Sequence, residues 1–138
     1  MKEETNKLVE SIILQAKYFL NDAGEFFPFG TSIDINGNIS PIGTYSGNEH
    51  PKPIEVLKEL EQGMQQMIGK RQYTGVAIGI DVRTVPPGGQ EKVDAIEIRV
   101  DHKREGSTNY YLPYEKLDNG TFIFYEMFSN KGTLNIFN

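Results

Sequence analysis

Two segments in the second half of the chain alternate between apolar and polar residues. Between residues 75 and 83, every even-numbered position is apolar, namely Val76, Ile78, Ile80 and Val82. Between residues 94 and 102, the same alternation separates the apolar Ile96, Ile98 and Val100 from the charged Glu97, Arg99 and Asp101. Successive side chains of a β-strand point to opposite faces of the sheet, so the pattern predicts two strands, each with one apolar face. We expect an antiparallel sheet that is buried on one side.

Two other segments have the spacing of amphipathic helices. Residues 5–21 repeat apolar side chains at Leu8, Ile12, Ala16 and Phe19, and Gly24 is suited to end this helix. Residues 53–68 begin with Pro53, which is favourable in a first helical turn, and carry a second stripe at Ile54, Leu57, Leu60, Met64 and Ile68. We expect both stripes to pack on the apolar face of the sheet.

Turn residues divide the rest of the chain into short strands. Asn36-Gly37 lies between two short strand-like runs, residues 31–35 and 38–42, and predicts a type I′ hairpin turn. Residues 108–112 and 121–128 read as further strands, and residues 134–137 as a short edge strand. The predicted fold is therefore a single α+β domain, residues 1–138. It has two helices on one face of an antiparallel sheet of about five or six strands, in the order helix, hairpin, helix, meander.

Composition excludes several classes of function. The 138 residues include 14 Lys and Arg against 19 Asp and Glu, for a net charge of −5, and no basic run is longer than Lys103-Arg104. A nucleic-acid-binding surface is therefore not expected. The absence of cysteine removes disulfides, thiol catalysis and thiolate metal sites, which fits a reducing cytoplasm. No stretch approaches the ~20 apolar residues of a membrane span.

The sequence offers no motif for a cofactor or a metal. His50 and His102 lie in different segments and neither belongs to a His-x-His or His-x-x-x-His pair, so we expect structural roles for both. Asp34-x-Asn36-x-Asn38 begins like a calcium loop, but its glycine stands fourth rather than sixth, and a hairpin turn explains the same residues. We expect no cofactor, and an enzymatic activity is not favoured.

The polar face of the predicted meander is the candidate binding surface. It comprises Asp81, Arg83, Glu97, Arg99, Asp101, Asn109 and Tyr111. If both apolar sets share one face, even-numbered residues must pair with even-numbered residues. One such register places Arg83 opposite Glu97 and Asp81 opposite Arg99, which gives favourable pairs of opposite charge. The neighbouring register places Asp81 opposite Glu97, where the two carboxylates would need a cation such as magnesium, or a shared proton, between them. We favour the first arrangement, with Arg83 or Arg99 within reach of Glu97 or Asp81 and no metal.

Four short segments also carry a resemblance. They are Phe27-Pro28-Phe29-Gly30, Asp34-x-x-Gly37, Gly75-Val76-Ala77-Ile78 and Tyr110-Tyr111-Leu112-Pro113-Tyr114. They resemble segments of a group of small bacterial proteins of unassigned function, in which an aromatic-Pro-Phe-Gly segment follows an N-terminal helix. The order of elements is also similar to that of several immunity proteins, which neutralise polymorphic bacterial toxins. The resemblance implies a bacterial single-domain protein and identifies no catalytic residue.

Three functions remain open from the sequence. The favoured one is a non-enzymatic binding or immunity-type protein that presents an acidic surface to a basic protein partner. The second is a small metal-dependent hydrolase or nuclease-like enzyme that uses Asp81 and Glu97. The third is a structural homodimer that pairs through the edge expected at residues 134–137.

Overall fold

The computed structural model describes residues 1–43, 52–68 and 72–137. These residues form two helices, α1 (Glu3–Ala23) and α2 (Pro53–Ile68). They also form seven strands: β1 (Phe29–Asp34), β2 (Ile39–Ile42), β3 (Tyr73–Thr84), β4 (Val93–His102), β5 (Gly106–Lys116), β6 (Phe122–Phe124) and β7 (Phe128–Lys131). Helix α1 ends where Gly24 adopts a φ of 80° and donates its N–H to the carbonyl of Leu20.

The strands form one antiparallel sheet in the order β2-β1-β3-β4-β5-β6, and β7 also pairs with β5. The predicted α+β class, with two helices and an antiparallel sheet, is confirmed. The strand expected at residues 121–128 is interrupted. It consists of β6 and β7, which pair with successive parts of β5 in registers that differ by one residue. Residues 125–127 therefore form a β-bulge, which leaves Phe124 and Phe128 on opposite faces of the sheet.

The register between β3 and β4 differs from the predicted one. Even-numbered residues of β3 pair with odd-numbered residues of β4, so that Ile78 lies opposite Arg99 and Ile80 lies opposite Glu97. The alternative face of β3 carries Gly75, Ala77 and Gly79, all of which are buried. The prediction of an even register was wrong because it assumed that only one face of β3 is buried, whereas this strand is buried on both faces.

The two helices consequently lie on opposite faces of the sheet, and the prediction of one shared face was wrong. The face covered by α1, called the α1 face, buries Leu8, Ile12 and Leu20 of the helix against Ala77, Ile96, Ile98 and Val100. The face covered by α2, called the α2 face, buries Val56, Leu60 and Met64 of the helix against Val76, Ile78 and Ile80. Ile54 was expected in this second stripe but is 58% exposed, and Leu57 is only partly buried.

Small residues of β3 allow α1 to approach the sheet closely. A Cβ atom added to Gly79 would lie 2.7 Å from Cγ2 of Ile12 and 2.9 Å from the ring of Phe29. A Cβ atom added to Gly75 would lie 2.8 Å from the His102 ring and 3.0 Å from Leu8. The small residues that interrupt the apolar pattern of β3 thus make room for a helix rather than for solvent.

The predicted hairpin at Asn36-Gly37 is present with a different turn. The Gly37 N–H donates to the carbonyl of Asp34 over 3.0 Å, and the Asp34 N–H donates to Asn38 over 3.1 Å. Gly37 has a φ of 83°, whereas no described residue other than glycine has a positive φ. The loop is therefore a three-residue connection with one left-handed glycine, not the type I′ turn in which Asn36 would also be left-handed.

A polar network ties the start of α1 to the turn between β4 and β5. Glu105 accepts hydrogen bonds from the N–H of Thr5 at 2.8 Å and from its hydroxyl at 2.6 Å, which caps the helix from a distant part of the chain. The fully buried His102 contacts Glu4 through Nε2 at 2.7 Å, while its Nδ1 accepts the N–H groups of Arg104 and Glu105. His102 therefore has the structural role expected of it. His50 lies outside the described residues.

The C-terminal segment lies against the α2 face rather than forming an edge strand. Leu134 and Ile136 are buried with the α2 side chains. Asp101 accepts the N–H groups of Ile136 at 2.6 Å and Phe137 at 3.0 Å. The edge strand expected at residues 134–137 is wrong, because these side chains are needed to close the second core. The homodimer expected to form through that edge loses its structural basis.

Candidate functional site

The register divides the seven candidate binding residues between the two faces of the sheet. Asp81 and Arg83 lie on the α1 face, because they pair with Ile96 and Asp94 of β4. The remaining five lie on the α2 face, namely Glu97, Arg99, Asp101, Asn109 and Tyr111. One continuous charged face is therefore not formed.

Asp81 is half-buried and is bonded to Tyr114. The Tyr114 hydroxyl donates to Oδ1 of Asp81 over 2.6 Å. Burial raises the pKa of Asp81, the bond from Tyr114 opposes this rise, and the nearby carboxylates of Asp94 and Glu25 add to it. Burial and the contact with Asp81 also raise the pKa of Tyr114, which keeps this hydroxyl protonated as the donor. Since Glu97 lies on the opposite face, these two carboxylates do not share a metal site.

Glu97 and Arg99 form an ion pair within one strand. Arg99 Nε donates to Oε1 of Glu97 over 2.7 Å, which confirms that Arg99 lies within reach of Glu97. The two residues are neighbours along β4 and do not face each other across strands, and Glu97 is buried rather than solvated. Tyr111 lies opposite Glu97 and stacks on Phe128, with ring centroids 4.9 Å apart. Burial and a hydrogen bond to Glu97 raise the pKa of Tyr111.

Asp101 and Asn109 form hydrogen bonds with the C-terminal segment. Asp101 accepts hydrogen bonds from two backbone N–H groups of that segment. Asn109 is buried and donates to the Thr133 hydroxyl over 3.0 Å. Both residues therefore stabilise the fold and offer little to a ligand.

A cleft opens where β5 separates from β4. The pairing of β4 with β5 ends at Ala95 and Pro113. Beyond this point β4 stays paired with β3 as far as Val93, while β5 pairs with β6 from Tyr114 onward. Pro113 is the last residue of β5 that pairs with β4, and its carbonyl faces the opposite side, where it accepts the N–H of Tyr125 in the bulge. The two hairpins therefore diverge at the proline and the bulge.

This cleft, called the hairpin cleft, has a volume of about 870 Å³. Its lining combines aromatic, proline and charged residues: Arg83, Pro86, Pro87, Lys92, Val93, Asp94, Pro113, Tyr114, Glu115, Tyr125, Glu126, Met127 and Phe128. Pockets of this size and largely apolar lining hold ligands in many proteins. Of the seven candidate binding residues, Arg83 lines the cleft and Asp81 contacts it through Tyr114.

Acidic residues outnumber basic residues in the lining of the cleft. Three carboxylates line it, those of Asp94, Glu115 and Glu126, against the two cations Arg83 and Lys92. Arg83 lies 3.8 Å from Asp94 and donates to the carbonyl of Lys92. Glu115 accepts the hydroxyl of Tyr125 over 2.8 Å, and the Tyr125 side chain is 49% exposed. The cleft therefore presents carboxylates beside exposed aromatic surface.

The opposite end of β3 and β4 carries a second cavity of different character. It has a volume of about 660 Å³ and is lined by Ile35, Gln72, Tyr73, Thr74, Lys103, Arg104 and Phe137. The charged residues of this lining are Lys103 and Arg104, and Arg104 also lies 3.4 Å from Glu4. A cationic ligand that binds the hairpin cleft should therefore not prefer this second cavity.

Sequence reasoning missed Glu115, Tyr125, Glu126 and Phe128. The first of these lies in a strand and the others in or beside the bulge, and no local motif marks a one-residue change of register. The available signal is Pro113, since a proline inside a strand indicates an edge or a bulge.

Comparisons with protein-family models, with curated proteins and with solved structures give no match to this chain. Within the described ranges, no three histidine, aspartate or glutamate side chains are grouped as the ligands of a metal ion would be. No helix of residues 1–43, 52–68 and 72–137 is long and apolar enough to cross a membrane.

Proposed function

We propose that this chain is a non-enzymatic binding protein that receives a basic segment of a protein partner in the hairpin cleft. The observation that carries the proposal is the lining of the cleft, where Glu115 and Glu126 lie beside the aromatic rings of Tyr125 and Phe128. Aromatic rings with nearby carboxylates suit a cationic side chain, because the ring faces and the charges both attract it.

The electrostatic environment supports a basic partner. Asp94 and Glu25 each contribute to the raised pKa of Asp81, after burial itself, so several carboxylates act on the same end of the sheet. Lys92 and Arg83 offset only part of this charge, and Arg83 is engaged with Asp94. A cationic segment that replaced water in the cleft would neutralise the excess negative charge.

The enzymatic alternative receives less support. A hydrolase using Asp81 and Glu97 would need both carboxylates at one site, and they lie on opposite faces of the sheet. Each already has a partner, Tyr114 for Asp81 and Arg99 for Glu97.

An immunity-type role in the bacterial cytoplasm is the form of this function that the resemblance favours. The partner would then be a toxin with a basic surface. A toxin encoded beside this protein would be the partner to test. Protection of cells by this chain should be lost when Glu115 and Glu126 are replaced by glutamine.

Chemical-shift mapping tests the proposal directly. The ¹⁵N-labelled protein would be titrated with an arginine-rich peptide and with an acidic peptide of equal length. We expect the arginine-rich peptide alone to shift the amide signals of residues 83–94 and 113–128. Added salt should weaken the effect, because the charges of an open cleft are screened within about 8 Å at physiological ionic strength.

A matched pair of variants separates the cleft from net charge. The double variant Glu115→Gln, Glu126→Gln removes two charges inside the cleft, and Glu10→Gln, Asp22→Asn removes two from the exposed surface of α1. Loss of binding in the first variant alone supports the proposal. Equal loss in both, or shifts centred on Lys103 and Arg104, would contradict it.

A further inference from the structure

We propose that the partner segment enters the hairpin cleft as an extended strand between β4 and β5, with an arginine side chain held by Tyr125, Phe128 and Glu115. This inference rests on the proposed function and specifies the conformation and the side chain that the cleft selects. It follows from three features of the cleft: unpaired backbone, limited length and the distribution of side chains.

The first feature is backbone that faces the cleft without a strand partner. Beyond Ala95 and Pro113, residues 93–94 of β4 and residues 114–116 of β5 are not paired with each other. Each strand is held on its far side, β4 by β3 and β5 by β6. Alternate residues of an antiparallel strand direct their N–H and C=O groups to opposite neighbours, so both strands present backbone groups toward the gap. An extended segment is the ligand that satisfies two facing strands together.

The second feature is the length of the gap. The unpaired stretches contain two residues on β4 and three on β5. At about 3.3 Å per residue, they accommodate roughly three residues of an inserted strand. Three residues are fewer than one helical turn of 3.6 residues, so the recognised element is a short extended segment rather than a helix.

The third feature is the different chemistry of the two sides of the gap. Glu115 pairs with Ile123 and so lies on the same face as Tyr125, whose hydroxyl it accepts, and as Phe128. On the other face, Asp94 is engaged by Arg83 and Tyr114 is engaged by Asp81. The side that contains Glu115 thus has a carboxylate that is bonded to a neutral hydroxyl rather than to a cation, together with the aromatic rings. Arginine suits it better than lysine, because a planar guanidinium stacks on rings and bonds a carboxylate with two parallel donors.

The test uses blocked pentapeptides in which valine and arginine alternate. The probe is acetyl-Val-Arg-Val-Arg-Val-amide, and its partner peptide has citrulline in place of arginine, which keeps the shape and removes the charge. Two further peptides carry N-methyl groups at alternate backbone nitrogens, one in each of the two phases, which removes donors while keeping the charge. Binding is measured by ¹⁵N chemical shifts and by amide exchange of residues 93–94 and 114–116.

We expect the arginine peptide to bind and to slow exchange of amides in both stretches. N-methylation in either of the two alternating phases should weaken its Kd at least tenfold, because the N–H groups of one phase face β4 and those of the other phase face β5. Citrulline should also weaken binding at least tenfold. The Tyr125→Ala variant should reduce the preference for arginine over citrulline, whereas the control Glu10→Gln should retain it.

The outcomes separate this inference from the proposed function. If the arginine peptide binds in the cleft but neither N-methylation phase matters, the extended-strand inference is overturned and the proposed function stands. If citrulline binds as well as arginine, the side-chain assignment is overturned. If no basic peptide shifts the cleft signals of the folded protein, both proposals fail.

Discussion

Replacement of Gly79 by alanine tests the register between β3 and β4. In the observed register Gly79 lies on the α1 face, directly beneath Ile12 and Phe29. An added Cβ would lie 2.7 Å from Cγ2 of Ile12 and 2.9 Å from Cε1 and Cζ of Phe29. Favourable carbon contacts are about 3.5–4.0 Å, so α1 or the Phe29 ring would have to move by roughly 1 Å.

The expected cost follows from two opposing contributions. Overpacking a close-packed core costs about 1–3 kcal/mol. Alanine recovers about 0.5–1 kcal/mol relative to glycine inside a regular element, because glycine loses more backbone freedom on folding. The net destabilisation should be about 0.5–2 kcal/mol. With roughly 4 °C per kcal/mol for a chain of this size, the melting temperature should fall by about 2–8 °C.

The matched control is Gly63→Ala in α2. Apart from the neighbouring residues and the backbone of α2 itself, no atom of the described part of the chain lies within 4 Å of the Cβ that this substitution adds. Alanine is favoured over glycine in a helix, so this variant should gain about 1 kcal/mol. Urea unfolding of both variants, followed by circular dichroism, gives the two free-energy changes. If Gly79→Ala were stabilised as much as Gly63→Ala, α1 would not pack on this part of β3, and the reasoning would be refuted.

Three further predictions concern the hairpin and the titrating groups. Gly37→Val should destabilise the protein by about 1–2 kcal/mol in urea unfolding, because Gly37 has a φ of 83°; an unchanged midpoint would refute the turn. The hydrogen bond from His102 lowers the pKa of Glu4 below 4.5, so its contribution to stability is present above pH 4.5 and is lost as the pH falls through the lowered value. Glu4→Gln should therefore flatten acid unfolding below pH 4.5, and an identical acid limb in the variant would contradict this. Burial raises the pKa of Asp81, so its contribution is present below pH 3.8 and is lost as the pH rises through the raised value. Asp81→Asn should accordingly be more favourable to stability at pH 7 than at pH 3, and the reverse order would contradict the assignment.

Much of the secondary structure could be predicted from local patterns. The alternation at residues 75–83 and 94–102 corresponds to β3, Tyr73–Thr84, and β4, Val93–His102. The helical stripes correspond to α1 and α2. These patterns are sufficient because periodicity reflects the local geometry of one element.

The pairing of the strands could not be predicted in the same way. Gly75, Ala77 and Gly79 have the pattern of a solvent-facing side of a strand. No local sequence pattern indicates that a helix covers them. Once that face is buried as well, even-numbered residues of β3 no longer need to pair with even-numbered residues of β4 to bury apolar side chains. The charged residues of β4 then separate from Asp81 and Arg83, which is why the expected single charged face is absent.

The cleft depends on still smaller changes. One additional residue in the bulge at 125–127 moves Phe128 to the face opposite Phe124. The β4–β5 ladder ends with the pair Ala95 and Pro113, at the same level. Local periodicity indicates where a strand lies, whereas a gap between two strands depends on how neighbouring hairpins diverge.

Intermolecular nuclear Overhauser effects would show whether the hairpin cleft binds an arginine-bearing segment, as we propose. The measurement uses the unlabelled arginine pentapeptide with ¹³C,¹⁵N-labelled protein at low salt. We predict contacts from the arginine side-chain protons to the rings of Tyr125 and Phe128. Contacts confined to the second cavity, around Lys103 and Arg104, or to the exposed surface of α1, would contradict this proposal.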